Sequence, residues 1–364
     1  MEIQLNRIEF LNELVPMQGV VERRTTIPVL SHILLRVADD RLHVAATDLE
    51  VSLTSWCQAK VKDEGAIAIQ AKKLLEIIRA STGEELTLRI EREGVLTILV
   101  GKSIFKIRGL PAEEFPTLPN IEDERPVRIP FHKFRNMVTK VFFAISSEES
   151  RFQLSGALMQ FKEDGLVLVA TDGHRLALVE TAIEGMAEAE GVLVPRKALQ
   201  ELQRFEGEDL SFRSSEHHLS FIIGRRQLIC RILEGTFPDY ERVISKDNDK
   251  HVVSDRLELA SVIHRVGLLT GDRARAIRME LQPSQLIFSA ANPDLGEARE
   301  EVPCDYDGET FSLGINPDYF SHFLAVADTE KVRLELKDEN SQCVAYPVEG
   351  LDKCYVCVIM PIRL

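Results

Sequence analysis

Ala170-Thr171-Asp172-Gly173-His174 repeats, with changes, a stretch met earlier in the chain as Ala46-Thr47-Asp48-Leu49-Glu50. The offset is 170 minus 46, or 124 residues. A weaker third copy, Ala290-Ala291-Asn292-Pro293-Asp294, follows at 290 minus 170, or 120. Other landmarks keep the step. Gln70-Ala71-Lys72-Lys73-Leu74 matches Val194-Pro195-Arg196-Lys197-Ala198, and the pair Phe115-Pro116 matches Phe237-Pro238, 122 further on. Solenoid repeats run to roughly 20 to 50 residues. A period this long is the length of a whole domain. The reading is three similar domains in one chain, and a symmetric object that surrounds something.

The 364 residues are 45% apolar and 28% charged, an ordinary globular balance. Met1-Glu2-Ile3-Gln4 opens directly into strand-like sequence, with no basic and apolar leader. No apolar run approaches the roughly 18 residues needed to span a bilayer, so the expected location is cytoplasmic. Cys57, Cys230, Cys304, Cys343, Cys354 and Cys357 are scattered and read as reduced packing residues. A net charge of −14 argues against a protein that binds nucleic acid by pressing a surface against it. The objection weakens for a protein that encloses DNA, where only the inner face must be basic.

Apolar steps of three and four predict a first helix in each repeat at Arg7–Val20, Phe131–Ile145 and Arg256–Leu269. A second helix is predicted at Lys72–Ala80, Arg196–Phe205 and Pro317–Ala327, with Pro317 as a first-turn proline. Short β-type runs lie between them, such as Leu34–Val37, Leu86–Ile90, Leu96–Val100 and Leu166–Ala170. Asp39-Asp40, Glu93-Gly94 and Asp164-Gly165 mark hairpin turns. The fold class is therefore α+β: three tandem domains, each with two helices on about eight short antiparallel strands. Linkers at Asn120–Arg125 and Ser245–His251 place the domains at 1–120, 126–246 and 250–364. Basic residues recur on or beside the helices of all three repeats, among them Lys72, Lys73, Arg79, Lys133, Lys140, Arg196, Lys197 and Arg265. A solvated helix face explains any one of them; the recurrence is what singles out the pattern.

Catalytic motifs are wanting. Asp172-Gly173-His174-Arg175 resembles an acid/base pair, but no nucleophile motif accompanies it. Cys354 and Cys357 have CxxC spacing without a second such pair, and residues three apart on a strand point to opposite faces. Asp305-Tyr306-Asp307-Gly308 starts like a calcium loop, lacks the later ligands and reads as a turn. No phosphate-binding glycine loop occurs. No metal and no cofactor are expected. The apolar end Val358-Ile359-Met360-Pro361-Ile362-Arg363-Leu364 is either a buried strand or part of a binding groove as well.

At Thr26-Ile27-Pro28-Val29-Leu30, Ala170–Ala177, Val194-Pro195-Arg196-Lys197, Phe237-Pro238-Asp239-Tyr240 and Met360-Pro361-Ile362-Arg363-Leu364, the chain resembles the bacterial sliding-clamp family, the beta subunits of DNA polymerase III. The resemblance covers the whole chain. It implies a non-enzymatic processivity factor: a head-to-tail homodimer of three-domain protomers, closed into a six-domain ring whose helices face duplex DNA without reading its sequence. It further implies a hydrophobic pocket for short peptides of the polymerase III alpha subunit, the clamp loader, and other polymerases and repair proteins. Carried over by motif, the pocket's wall comprises Leu154, Thr171, Gly173, His174, Arg175 and Leu176 from the middle domain. Pro238, Arg242 and Val243 follow, then Val358, Ile359, Met360, Pro361, Ile362 and Arg363, with Tyr319 at the rim. The implied DNA contacts are Arg24, Lys72, Lys73, Arg151, Lys197, Arg273 and Arg275. The implied dimer seam sets Phe105 and Ile107 against Leu268 and Leu269. Because Leu49-Glu50 stands where the middle domain has Gly173-His174, one pocket per protomer is expected. Two other readings compete: a peptide-binding scaffold outside bulk replication, marked by a degraded pocket, and an enzyme of unknown type.

Overall fold

The computed structural model describes residues 1–22, 26–90, 94–121, 126–148, 150–271, 275–349 and 354–363. Among them are six α-helices: α1 (Arg7–Val20), α2 (Ala71–Ala80), α3 (Phe131–Val141), α4 (Arg196–Leu202), α5 (Arg256–Gly267) and α6 (Pro317–Val326). Three start on side-chain caps. Asn6, Asp255 and Asn316 accept from the backbone N–H groups of Glu9, Glu258 and Asp318. Four helices stop short of the predicted ends, α6 by a single residue. Past Leu202 and Gly267, the N–H groups of Arg204, Phe205, Leu268 and Leu269 reach back three residues, not four. Phe142–Ala144 forms a similar three-residue turn after α3. Apolar periodicity continues through such tightened turns, so the pattern overran the helix.

A part-buried arginine joins the two helices of each repeat. Arg7, the first residue of α1, donates to the carbonyls of Ile78 and Gly83 at the end of α2. Arg256 of α5 donates to Leu324 and Thr329 at the end of α6. In the middle repeat the roles reverse: Arg196 of α4 donates to Phe142 and Ile145 beyond α3. The end of a helix offers unpaired carbonyls and a partial negative charge, and a guanidinium answers both. Arg7 and Arg196 are therefore committed inside the fold.

The chain divides into two compact units, residues 1–132 with 197–232 and residues 133–196 with 233–364. The first contains a 13-stranded sheet, the second an eight-stranded and a four-stranded sheet. All ladders within them are antiparallel. The sheets cross the repeat boundaries. In the first unit Arg226–Arg231, the last strand of the middle repeat, pairs with Val51–Gln58 of the first repeat. In the second, Cys354–Ile359, the last strand of the third repeat, pairs with Arg175–Ala182 of the middle one. The linker expected at Ser245–His251 ends at Asp249, because Lys250 and His251 are drawn into a strand paired with Lys331–Leu336. Asp305 is bridged to Val253 and Tyr306 is buried, so Asp305–Gly308 is extended at its start and is not a simple turn. Asp39, Asp40 and Asp164 take the left-handed backbone of tight hairpin turns; Glu93 lies outside the described residues.

Candidate functional site

The site grows from one corner in the second unit. Thr171-Asp172-Gly173-His174-Arg175 turns the chain between the strands Gly165–Thr171 and Arg175–Ala182. Its side chains build the turn. Thr171 Oγ1 donates to the Arg175 carbonyl at 2.7 Å and accepts from Gly173 N at 3.1 Å. Asp172 Oδ1 accepts from His174 N and Arg175 N at 2.9 and 3.0 Å. Gly173 sits at φ +87°, where a side chain is strained. A Cβ there would also lie 2.9 Å from Arg151 Nη1.

Arg175 is the hub, and only 10% of its side chain is exposed. Its Nε donates to Asp172 Oδ2 at 3.1 Å, and its two terminal nitrogens donate to the Phe143 carbonyl and His322 Nδ1, both at 2.6 Å. The guanidinium lies 4.5 Å from the Tyr319 ring centre and 5.1 Å from that of Phe143. His322 stacks on Phe143, and His174 on Tyr319. Desolvation, and then the Arg175 charge, hold the His322 pKa below its ordinary value. Desolvation, then Asp172, raises that of the Tyr319 phenol.

The C-terminal strand closes the corner. Val358 and Ile359 pair with Leu176 and Arg175, and Met360 N donates to the His174 carbonyl at 2.9 Å. Leu154, Leu176 and Val358 are buried in one apolar cluster with Phe237 and Tyr240, and Val243 packs against it. Met360 is 38% exposed above that cluster's last strand. Pro238 and Arg242 stand exposed beside it, Arg242 paired with Asp239 at 2.7 Å. Ile359 is fully buried and lends no surface. Ile362 and Arg363 follow Met360 into a second set of neighbours. Ile362 bonds to Gly314, and both line a depression of about 410 Å³ with Arg278, Ser312, Leu313 and Glu339.

The expected DNA contacts fare unevenly. Arg24 and Arg273 lie outside the described residues. Lys72 is exposed and makes no ion pair within 4 Å among the described residues, whereas Lys73, Arg151 and Arg275 pair with Glu76, Glu148 and Asp318. Lys197 bonds Asp48 and the Val20 carbonyl, which ties α4 to the first corner. Lys140 is only 1% exposed: its amine donates to Asp328 at 2.8 Å, so it presents no charge outward. Arg204 and Arg265 likewise pair with Glu201 and Glu300. Of the expected seam residues, Leu268 is 64% exposed, and Phe105, Ile107 and Leu269 are part-buried. All six cysteines are free, and burial pushes the Cys57 and Cys357 thiols up to about 12. No group of three metal-ligating side chains occurs among the described residues.

Sequence reasoning missed Phe143, His322 and the carboxylate of Asp172. His322 had a signal: it lies three residues from Tyr319 on one face of α6. Phe143 had none, since only its carbonyl and ring face matter.

Comparison with known proteins agrees throughout the chain. Family models of the DNA polymerase III beta subunit match its N-terminal domain at residues 1–119, its central domain at 128–239 and its C-terminal domain at 241–363. The beta sliding clamp of Pseudomonas putida KT2440 is 36% identical over 372 residues, with all of both chains covered. That of Caulobacter vibrioides is 33% identical over 374 residues, again with full coverage. Among solved structures, the DNA polymerase III subunit beta of Pseudomonas aeruginosa superposes with a TM-score of 0.94 at 34% identity over all of both chains. The sliding clamp of Bartonella birtlesii bound to griselimycin gives 0.95 at 30% identity, also with full coverage. With three matching domain models in order and these relatives over its whole length, the chain belongs to the DNA polymerase III beta subunit family, the beta sliding clamps.

Proposed function

We propose that two copies of this clamp close head to tail into a ring around duplex DNA and tether replication proteins through the corner at Asp172. Membership of the family makes the chain a non-catalytic processivity factor. We place its domains at 1–120, 126–246 and 250–364. One observation carries the ring. In the first and middle repeats, the strand after the corner pairs with the last strand of the next repeat. In the third repeat the corresponding strand, Gly296–Pro303, has a partner on one side only among the described residues. The last strand of the first repeat, Ser103–Leu110, meets Val95–Val100 on one side, and on the other only Gly109 and Leu110 are paired. A second copy satisfies both edges by the same rule, and repetition of a closing heterologous contact gives a ring. The net charges are opposite: Lys106 and Arg108 on one strand, and on the other Glu297, Glu300 and Glu301 against Arg299. Phe105 and Ile107 lie in that seam, with Leu268 and Leu269 at the end of α5 beside it.

The partners follow: duplex DNA without sequence preference, the polymerase III alpha subunit, the clamp loader, and other polymerases and repair proteins, all in the cytoplasm. Exposed Met360 over the Leu154, Leu176 and Val358 cluster supports peptide docking there. Lys72, Lys73, Arg151 and Arg275 are the accessible cations for phosphate, the last three by exchanging surface carboxylates at little cost. Clamp loaded on a closed DNA circle should remain bound in high salt and be lost when the circle is cut. Equal loss from circular and linear DNA rejects the ring. Leu268→Ala with Leu269→Ala should yield monomers by light scattering; an unchanged dimer removes those residues from the seam.

A further inference from the structure

The first unit holds a cleft of about 970 Å³ on the open face of its sheet. Its apolar residues match, through the repeat, those around the Asp172 corner. Leu34, Ala45 and Thr54 correspond to Leu158, Val169 and Leu178, each 124 residues on (158 minus 34, 169 minus 45, 178 minus 54). Phe115, Pro116 and Leu118 correspond to Phe237, Pro238 and Tyr240, each 122 on. The packing repeats as well. Leu34, Ala45, Phe115 and Leu118 form one cluster, as Leu158, Val169, Phe237 and Tyr240 do in the second unit. The apolar half of the peptide groove thus has a counterpart in the first unit.

The polar half has changed sign. Where the second unit has Gln160, Val167 and Glu180, the cleft has Arg36, His43 and Trp56. Arg225 completes the lining, and Arg41 lies beside it with its guanidinium 4.0 Å from the Trp56 ring centre. Arg36 is exposed and has no carboxylate partner among the described residues. Among the described residues Glu113 is the one acid in the wall, and Glu9 pairs with Arg225 at its edge. In a chain of net charge −14, Arg36 and Arg41 on either side of His43 and Trp56 form a local positive field, whereas the charge of Arg225 is answered by Glu9.

We propose that this cleft is a second docking site, which takes an acidic linear peptide segment carrying a large apolar side chain. The apolar side chain would sit over Leu34, Phe115 and Leu118, and the carboxylates would meet Arg36 and Arg41. The site does not depend on the Asp172 corner, and its test separates the two. Trp56 is the only tryptophan in the chain and reports from inside the cleft. The full-length protein is titrated with a fluorescein-labelled peptide, Glu-Asp-Glu-Phe-Asp-Leu-Glu, and both anisotropy and Trp56 emission are read. The expected result is saturable binding with a matching emission change. Arg36→Glu should weaken it by roughly tenfold or more, as expected for losing a charge-assisted contact, while Met360→Ala leaves it unchanged. Arg36→Glu should retain the wild-type thermal midpoint, so that loss of binding is not loss of fold. Equal binding by Arg36→Glu, or no binding by the folded wild type, overturns the proposal. So does a Trp56 response to oligothymidylate without one to the peptide, which would make the cleft a nucleic-acid contact.

Discussion

The corners at Asp48 and Asp172 share a backbone and differ in what they hold. Thr47 Oγ1 donates to the Val51 carbonyl and accepts from Leu49 N, as Thr171 does with Arg175 and Gly173. Asp48 Oδ1 accepts from Glu50 N and Val51 N at 3.0 and 2.7 Å, within 0.3 Å of the bonds to Asp172. Even the exits correspond: Arg231 N donates to the Glu50 carbonyl as Met360 N does to that of His174. The second carboxylate oxygen diverges. Asp48 spends it on Lys197 of α4, whereas Asp172 spends it on Arg175 of its own strand. A duplicated scaffold has become a joint in one place and a candidate recognition site in the other.

That difference should appear as unequal costs. Arg175→Ala removes three donors and two ring contacts from a nearly buried guanidinium, and should cost about 3 kcal/mol. Lysine should not rescue it, because an ammonium cannot reach Asp172, Phe143 and His322 together. Lys197→Met at the first corner should cost about 1 kcal/mol, since 36% of that side chain stays in water. Denaturant titration of the two variants compares them, and equal losses would mean that the corners are energetically alike. In recognition the second corner should dominate. Met360→Ala should weaken a Gln-Leu-x-Leu-Phe peptide by about 30-fold, the effect of truncating an apolar anchor. Arg363→Ala should change it little, because Arg363 lies in the depression beside Gly314. A large loss from Arg363→Ala would return the C-terminal residues to the wall that the sequence reading gave them.

The repeat and the six helices were legible because they rest on local chemistry: recurring motifs, apolar spacing and a first-turn proline. Three things were not. The sheets cross the repeat boundaries because strand edges pair by backbone, and backbone carries no residue signature. Lys140 and Lys197 read as surface cations because their partners, Asp328 and Asp48, are 188 and 149 residues away in sequence. The bridge that Ile362 makes to Gly314 was hidden as well, because the two are 362 minus 314, or 48, residues apart in sequence.

Smaller effects probe the residue after each Asp. Leu49 holds φ +78° where Gly173 holds +87°. Gly173→Leu should cost about 1 kcal/mol for left-handed backbone in a branched residue and crowd Arg151. Leu49→Gly should be nearly neutral: relief of the same strain is offset by the greater freedom of glycine in the unfolded chain. Thermal midpoints of the pair decide it, and symmetric shifts would mean that strain alone governs the corner.

The smallest effect is a pH dependence confined to the second corner. His322 accepts from Arg175 through Nδ1, which requires a neutral ring. Its folded pKa is depressed by desolvation first and by the Arg175 charge second. Above the unfolded value of about 6.5, both states are neutral and His322 contributes nothing. As pH falls below that value the unfolded chain takes up a proton that the folded one refuses. Stability is then lost until the folded value is reached. His322 remains exposed, so solvent screens the effect. The difference in midpoint between pH 7.5 and 5.5 should therefore shrink slightly in His322→Gln, and Arg175→Ala should weaken the His322 contribution without abolishing it, since desolvation persists. An undiminished pH difference in His322→Gln would mean that the ring is protonated in the folded state, and that Arg175 is held by Asp172, Phe143 and Tyr319 alone.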